Sequence, residues 1–300
     1  MQKTLLVIAG PTAIGKTQLA IEIAKHFNTE VISADSRQIF KELNIGTAVP
    51  EKHQLIEVPH HLIQHVSIHD HYNASTYEQE ALQKIKQLFR NHDIVVMTGG
   101  SGMYIEAVCS GIDDMPDIDP FIRQKAINLL EREGIEALRA ILKEADPEYL
   151  FETDINNPAR LIRGVEMYWQ TGKPFSLFRK KQIQMRNFNI IRISLDMERS
   201  VLHDRINRRV DQMIVNGLVN EVKGLIEWQH LVPLKTVGYQ ELFEHLNGNL
   251  ALDQAIELIK RNTRRYARKQ LSWFRRNKET TWFHPEEFEE IINHVRNAVD

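Results

Sequence analysis

The segment Gly10-Pro11-Thr12-Ala13-Ile14-Gly15-Lys16-Thr17 constrains this chain more than any other. It fits G-x-x-x-x-G-K-S/T and follows an aliphatic run, Thr4–Ala9, that reads as a short buried strand. Behind it, from Thr17 to Phe27, Leu19, Ala20, Ile23, Ala24 and Phe27 recur at helical spacing. The glycines let backbone N–H groups curl around phosphate oxygens, Lys16 adds a cation, and the Thr17 hydroxyl can hold Mg²⁺. Such a loop identifies a phosphate chain and not necessarily ATP. It also demands a sheet edge on which to stand.

The rest of the chain supplies that sheet. A second strand is expected at Val31–Ala34, ending at Asp35-Ser36. A helix follows at about Ala74–Arg90, with Tyr77, Ala81, Ile85, Leu88 and Phe89 on one face. A strand at Ile94–Met97 then leads into Thr98-Gly99-Gly100-Ser101-Gly102. Strands alternating with helices imply an α/β, P-loop NTPase-like parallel sheet, with ligands at the strand C-terminal ends. The acidic, proline-containing stretch Asp113–Asp117 breaks the pattern. Beyond it, helices are expected from Pro120, over Ile135–Ala145 and over Pro158–Thr171. A strand returns at Ile190–Ser194, a helix begins near Glu198, and Thr281–Phe283 is a further candidate strand. The expected organisation is a catalytic core made of residues 1–112 and 188–300, split by an all-α insertion at 113–187 and completed by basic C-terminal helices.

A chain of 300 residues can bury a sizeable core without staples. Its one cysteine, Cys109, cannot form an intrachain disulfide, which points to a reducing, cytoplasmic setting. No apolar run approaches the roughly 18 residues of a membrane span, and Leu5–Ala9 is too short for a signal peptide. Nothing suggests a repeated interface, so a monomer is expected. The net charge of −2 argues against a nucleic-acid partner only if charge is evenly spread. It is not: residues 1–150 carry 14 basic and 21 acidic side chains, and residues 151–300 carry 24 and 19. Arg179–Arg192 and Leu258–Lys278 hold cations and no acid, the second with Tyr266, Trp273 and Phe274 interleaved. These blocks suit either a polyanion or a solvated helix face.

Other groups are candidates for chemistry. Asp35 stands where a carboxylate could hold Mg²⁺, act as a base, or cap a short turn. Ser101 offers a hydroxyl to the same crevice. Arg205 and Arg209 are i, i+4 neighbours that suit a diphosphate, the alternative being pairs with Asp204 or Asp211. Six histidines crowd between His53 and His71, but their spacing favours a polar or hydrogen-bonded loop over a metal site.

Together these motifs make the chain resemble the bacterial tRNA dimethylallyltransferases, or tRNA isopentenyltransferases. The likeness is carried by Gly10–Thr17, Asp35–Gln38, Pro59-His60-His61-Leu62, Gly99–Tyr104, Asn157–Arg163, Thr171-Gly172-Lys173, Arg205–Met213, Val237-Gly238-Tyr239 and Arg268–Arg275. It implies transfer of a dimethylallyl group from dimethylallyl diphosphate, with Mg²⁺, to N6 of the adenosine 3′ of the tRNA anticodon. The donor diphosphate would lie on Gly10–Thr17 with Arg205 and Arg209. Asp35 would be the general base, with Lys16, Thr17, Ser101 and Arg209 completing the catalytic set. The base would be extruded from the anticodon stem-loop into a channel. The resemblance implies tRNA contacts at Asp35, Ser36, Arg37, Gln38, Ser101 and Arg123. It implies others at Ala159, Arg160, Leu161, Ile162 and Arg163, and at Leu234, Lys235, Thr236, Val237, Gly238 and Tyr239. The last stretch is Arg268, Lys269, Gln270, Leu271, Ser272, Trp273, Phe274 and Arg275, although at least one of Trp273 and Phe274 reads as core. Ser101 replaces a usual threonine, Ile14 a serine and Gly164 an alanine. Rival readings are a small-molecule P-loop kinase, a prenyltransferase acting on free adenylate, and an RNA-binding nucleotide switch.

Overall fold

In the computed structural model, which describes residues 2–113, 115–180 and 182–299, β1 (Thr4–Ala9) is buried at all six positions. Its aliphatic run is unbroken because both faces of a parallel sheet are covered. Leu5, Val7 and Ala9 join one core and Leu6 and Ile8 the other.

The main unit starts with β1, α1 (Lys16–His26), β2 (Val31–Ser33), α2 (Lys52–Glu57), β3 (His60–His61), α3 (Ala74–Leu88), β4 (Ile94–Gly99) and α4 (Gly102–Ser110). After the insertion it resumes with β5 (Asn189–Leu195), α9 (Arg199–Val215), α10 (Leu218–Lys223), α11 (Tyr239–Leu246), α12 (Leu252–Phe274), β6 (Thr281–Phe283) and α13 (Phe288–Val299). The sheet is parallel throughout, in the order β3-β2-β4-β1-β5-β6. All six strands therefore present their C-terminal ends on one edge, where the phosphate loop, Asp35 and the Gly99–Gly102 turn converge.

Side chains from both cores fix that edge. Tyr77 of α3 is fully buried, stacks on Tyr104 at 4.2 Å between ring centroids, and donates to the Ser33 carbonyl at 3.0 Å. It thus anchors the end of β2 just before Asp35. Each fully buried aliphatic or aromatic side chain here contributes about 1.5–3 kcal/mol.

The segment Gly111–Gln184 is a second compact unit. It contains α5 (Pro120–Glu133), α6 (Ile135–Ala145), α7 (Pro147–Glu152) and α8 (Pro158–Thr171). Its own core includes Ala126, Leu138, Leu142, Tyr149, Leu161, Val165, Met167 and Phe175. The helix starts are chemically marked: Asp119 accepts from the Phe121 N–H, Asp146 from that of Tyr149 and Asn157 from that of Arg160. Proline follows each cap.

Several expectations shift. β4 runs two residues beyond Met97, because its pairing with β1 continues through Thr98 and Gly99. The insertion spans 111–184 rather than 113–187. Arg186 already belongs to the main unit: its guanidinium pairs with Glu78 at 2.6 Å and donates to the carbonyls of Val108 and Ala107. Arg192 likewise pairs with Glu106 at 2.7 Å, and Arg179 with Glu152 at 3.3 Å. The basic run Arg179–Arg192 is therefore largely internal pairing and not a polyanion surface; Lys181 lies outside the described residues. α2, β3 and α7 are additions that the periodicity missed.

Candidate active site

The phosphate loop leaves β1 at Ala9 and re-enters helix at Lys16. Gly15 has φ +112°, a conformation that favours glycine. Ala13 also adopts a left-handed φ, +64°, which costs about 1–2 kcal/mol. Ile14 is buried in the core, so only its backbone can serve a ligand. The Lys16 ammonium turns back on the loop and donates to the Pro11 carbonyl at 2.7 Å. Burial, reinforced by the Arg209 guanidinium and opposed by the Asp35 carboxylate, holds its pKa down to about 7.

A cavity of about 460 Å³ opens over this loop, with Lys16, Thr17, Asp35, Arg37, Arg209 and Tyr266 in its wall. A more open cleft of about 680 Å³ lies beside it, lined by Ala13, Gly15, Arg205 and Arg208. The two share Lys16, Thr17 and Arg209. Arg205 reaches the loop itself, its Nη2 standing 3.3 Å from where a Cβ on Gly15 would be. Among the described residues neither Arg205 nor Arg209 pairs with an acid: Asp211 is held by Lys260 at 2.8 Å, and Asp204 gives its carbonyl to Arg208. The alternative of solvated ion pairs is thereby removed. Burial lowers the pKa of Arg209, and Asp35 counters it.

Asp35 caps a turn and lines the cavity at once. Its Oδ1 accepts from the N–H groups of Arg37 and Gln38 at 2.9 and 3.2 Å. Its Oδ2 has no protein donor among the described residues. Tyr266 is 43% exposed overall, but desolvation at its hydroxyl, with Asp35 nearby, pushes that phenol up to about 12. Gln38 gives both amide protons to the carbonyls of Thr47 and Ala48. Ser101 is not in the cavity wall; its Oγ accepts from the Ser36 N–H at 2.8 Å and donates to Ser36 Oγ at 3.0 Å. Its direct contact is therefore with Ser36. The wall at this point is Gly99 and Gly100. Gly99 passes so close to β2 that a Cβ would fall 2.1 Å from the Ala34 carbonyl oxygen.

Lys235, Thr236, Val237 and Gly238 line the cavity as well. Leu234 and Tyr239 do not: both are fully buried, and the Tyr239 hydroxyl donates to Glu221 at 2.6 Å. On α12, Arg268 and Lys269 are exposed, as is Ser272. Gln270 and Phe274 are buried, Leu271 packs on the core, and Trp273 lies against Gly102 with no room for a methyl between them. Arg275 pairs with Asp196 at 2.7 Å. In the helical unit, Ala159 and Arg160 are exposed, Ile162 packs on the local core, and Leu161 lies inside it. Direct RNA contact by the side chains of Leu161, Leu234, Tyr239 and Phe274 is corrected accordingly, since each is enclosed by its own core, whereas Gln270 lines the cavity. Arg123 and Arg163 face one buried carboxylate, Glu166, at 3.9 and 2.9 Å.

Sequence reasoning missed Tyr266, whose position on α12 was read only as an interleaved aromatic, and Gln270 as a joint. Gln270 Oε1 accepts from the Thr12 N–H at 3.0 Å while its Nε2 donates to the Gly100 carbonyl at 2.9 Å. It also missed His60 in the cavity wall, where burial lowers the imidazole pKa. Among the described residues no three metal-ligating side chains converge. The crowded histidines instead pair with acids, His61 with Glu30 and His65 with Glu80.

A family model described as IPP transferase matches residues 38–277. The chain belongs to the IPP transferase family. The tRNA dimethylallyltransferase of Christiangramia forsetii is 49% identical over 300 residues, covering 100% of this chain and 98% of that protein. The tRNA dimethylallyltransferase 1 of Bacteroides thetaiotaomicron is 48% identical over 98% of this chain and 95% of its own length. Among solved structures, the tRNA isopentenylpyrophosphate transferase of Bacillus halodurans matches with TM-score 0.72 at 34% identity, over 99% of this chain and 97% of that one. A eukaryotic dimethylallyltransferase described as acting on tRNA matches with TM-score 0.77 at 25% identity, over 99% of this chain and 78% of that one. IPP transferases thus share this fold across almost all of the chain. The family model begins after Asp35, but the relatives' coverage takes in the phosphate loop.

Proposed function

We propose that the chain transfers a dimethylallyl group from dimethylallyl diphosphate to N6 of the adenosine 3′ of a tRNA anticodon. One observation carries the reading: Lys16 and Arg209, neither paired with an acid among the described residues, border a single cavity with the Asp35 carboxylate. The relatives' names supply the dimethylallyl group and tRNA; the diphosphate donor and the adenosine 3′ of the anticodon follow from the motif resemblance. In this reading the diphosphate lies on the loop N–H groups, with Lys16 and Arg209 at the wall common to cavity and cleft and Arg205 on the cleft side. The allylic C1–O bond breaks as N6 attacks C1, and the electron pair stays on diphosphate. Cations and N–H groups already fixed in place stabilise that developing charge. The N6 proton passes to Asp35, which raises the reactivity of a weak amine nucleophile.

Mg²⁺ fits the same wall, where the Thr17 hydroxyl is available; it would neutralise charge on the diphosphate, leaving the open Asp35 oxygen to the N6 proton. A tRNA acceptor supports the cytoplasmic setting expected from the sequence. Unmodified tRNA incubated with labelled dimethylallyl diphosphate and Mg²⁺ should become labelled and release diphosphate. Unlabelled tRNA alongside ATP-dependent phosphorylation of a small acceptor would favour the kinase reading and overturn this one.

A further inference from the structure

Helix α8 buries a carboxylate that packing alone does not require. Glu166 is 0% exposed, although a leucine would suit a site between Val165 and Met167 at no electrostatic cost. Its Oε1 accepts from Arg163 Nη1 at 2.9 Å, one turn earlier on the same helix. Its Oε2 is buried without a hydrogen-bond partner and faces Arg123 Nε of α5 at 3.9 Å. Arg163 is also held from two other sides, by Met115 Sδ at 3.8 Å and the Phe175 ring at 5.9 Å. Even so, 34% of the Arg163 side chain and 54% of that of Arg123 remain exposed. Arg160 stands exposed one turn before Arg163, on the same side of α8. Three guanidiniums against one carboxylate leave this patch positive. A guanidinium with one edge on a carboxylate still offers its other edge to phosphate oxygens.

We propose that Glu166 is a positioning residue. It holds Arg163 and Arg123 on one patch of the helical unit, so that their open edges grip backbone phosphates of the RNA acceptor. Holding the side chains beforehand reduces the ordering cost of binding. The proposal rests on the reading above that the acceptor is tRNA.

Glu166→Gln keeps the shape and removes the charge. If the carboxylate acted through its charge alone, this variant would make the patch more positive and bind tRNA more tightly. Positioning predicts the opposite: tRNA affinity falls about five- to tenfold, and the slope of log affinity against log salt becomes shallower by about one. The KM for dimethylallyl diphosphate stays unchanged. Arg163→Ala should lose a similar factor, and adding Glu166→Gln to it should cost less than the two single losses multiplied, because Glu166 acts through Arg163 as well as Arg123. Unchanged or tighter tRNA binding by Glu166→Gln, or full additivity in the double variant, overturns the proposal. Should Glu166→Gln fail to fold, Arg163→Lys retains the charge but offers no second edge. Its tRNA affinity should drop about threefold at constant donor KM, and an unchanged affinity overturns the idea. Failure of the parent reading looks different, because the unaltered protein would then leave tRNA unlabelled.

Discussion

Asp35 divides its duties between two oxygens, and that decides which substitution is informative. Oδ1 sustains the turn through Arg37 and Gln38, so Asp35→Ala would disturb structure and chemistry together. Asp35→Asn retains an acceptor at Oδ1 and removes the base. At saturating donor, single-turnover transfer should fall by at least about 100-fold with an unchanged thermal midpoint; a rate within a fewfold of normal would remove Asp35 from the chemistry. Lys16 supplies a pH signature. Its pKa of about 7 lies below the ordinary 10.5, so between those values the unfolded chain holds the proton more tightly. The Lys16 contribution therefore makes the ligand-free fold more stable as pH rises through that window. A bound polyanion restores the charge, so diphosphate binding at about pH 8 should take up a proton at Lys16. Calorimetry in buffers of different ionisation enthalpy should show that uptake, and Lys16→Met should lack it. Equal uptake by both proteins would refute the assignment.

The elements meet at Gln270, an α12 side chain bonded to both loops of the crevice. Gln270→Leu keeps the volume and leaves the Thr12 N–H and the Gly100 carbonyl without their partner. It should cost about 1–3 kcal/mol, seen as a lower thermal midpoint, and raise the donor KM several-fold. An unchanged midpoint and KM would show that the loops hold each other without α12. This joint also marks where sequence reading stops. The phosphate loop, the strands and the long helices were legible, because each imposes a local spacing or a cap. β3 spans two residues and α7 six, too short for any period to register. Gln270 and Tyr239 carried no local signal. Whether such a residue meets RNA, or ties a loop or a carboxylate inside the fold, depends on tertiary partners: Thr12 and Gly100 lie 258 and 170 residues from Gln270, and Glu221 lies 18 from Tyr239.

At the scale of the molecule, near-neutral charge is a cancellation between an acidic N-terminal half and a basic C-terminal half, so it sets no bar to RNA. The two compact units divide the work differently from the two halves. Every residue of the cavity wall lies in the main unit, whereas Arg123, Arg160 and Arg163 lie in the helical one. The main unit is also closed where the insertion leaves and returns, since Arg186 bonds Val108 and Ala107 directly. Replacing residues 112–183 by a short Gly-Ser linker should therefore preserve the diphosphate site. Diphosphate affinity should stay within about twofold, because none of its proposed contacts is removed, while tRNA affinity drops by at least about tenfold as phosphate contacts are lost. Loss of diphosphate binding would mean that the main unit depends on the insertion for its fold. Full tRNA affinity would mean that the basic face of α12, with Arg261, Arg265, Arg268 and Lys269 exposed, holds the RNA alone. The expected result lies between these: a folded enzyme that still takes its donor and has lost much of its grip on the acceptor.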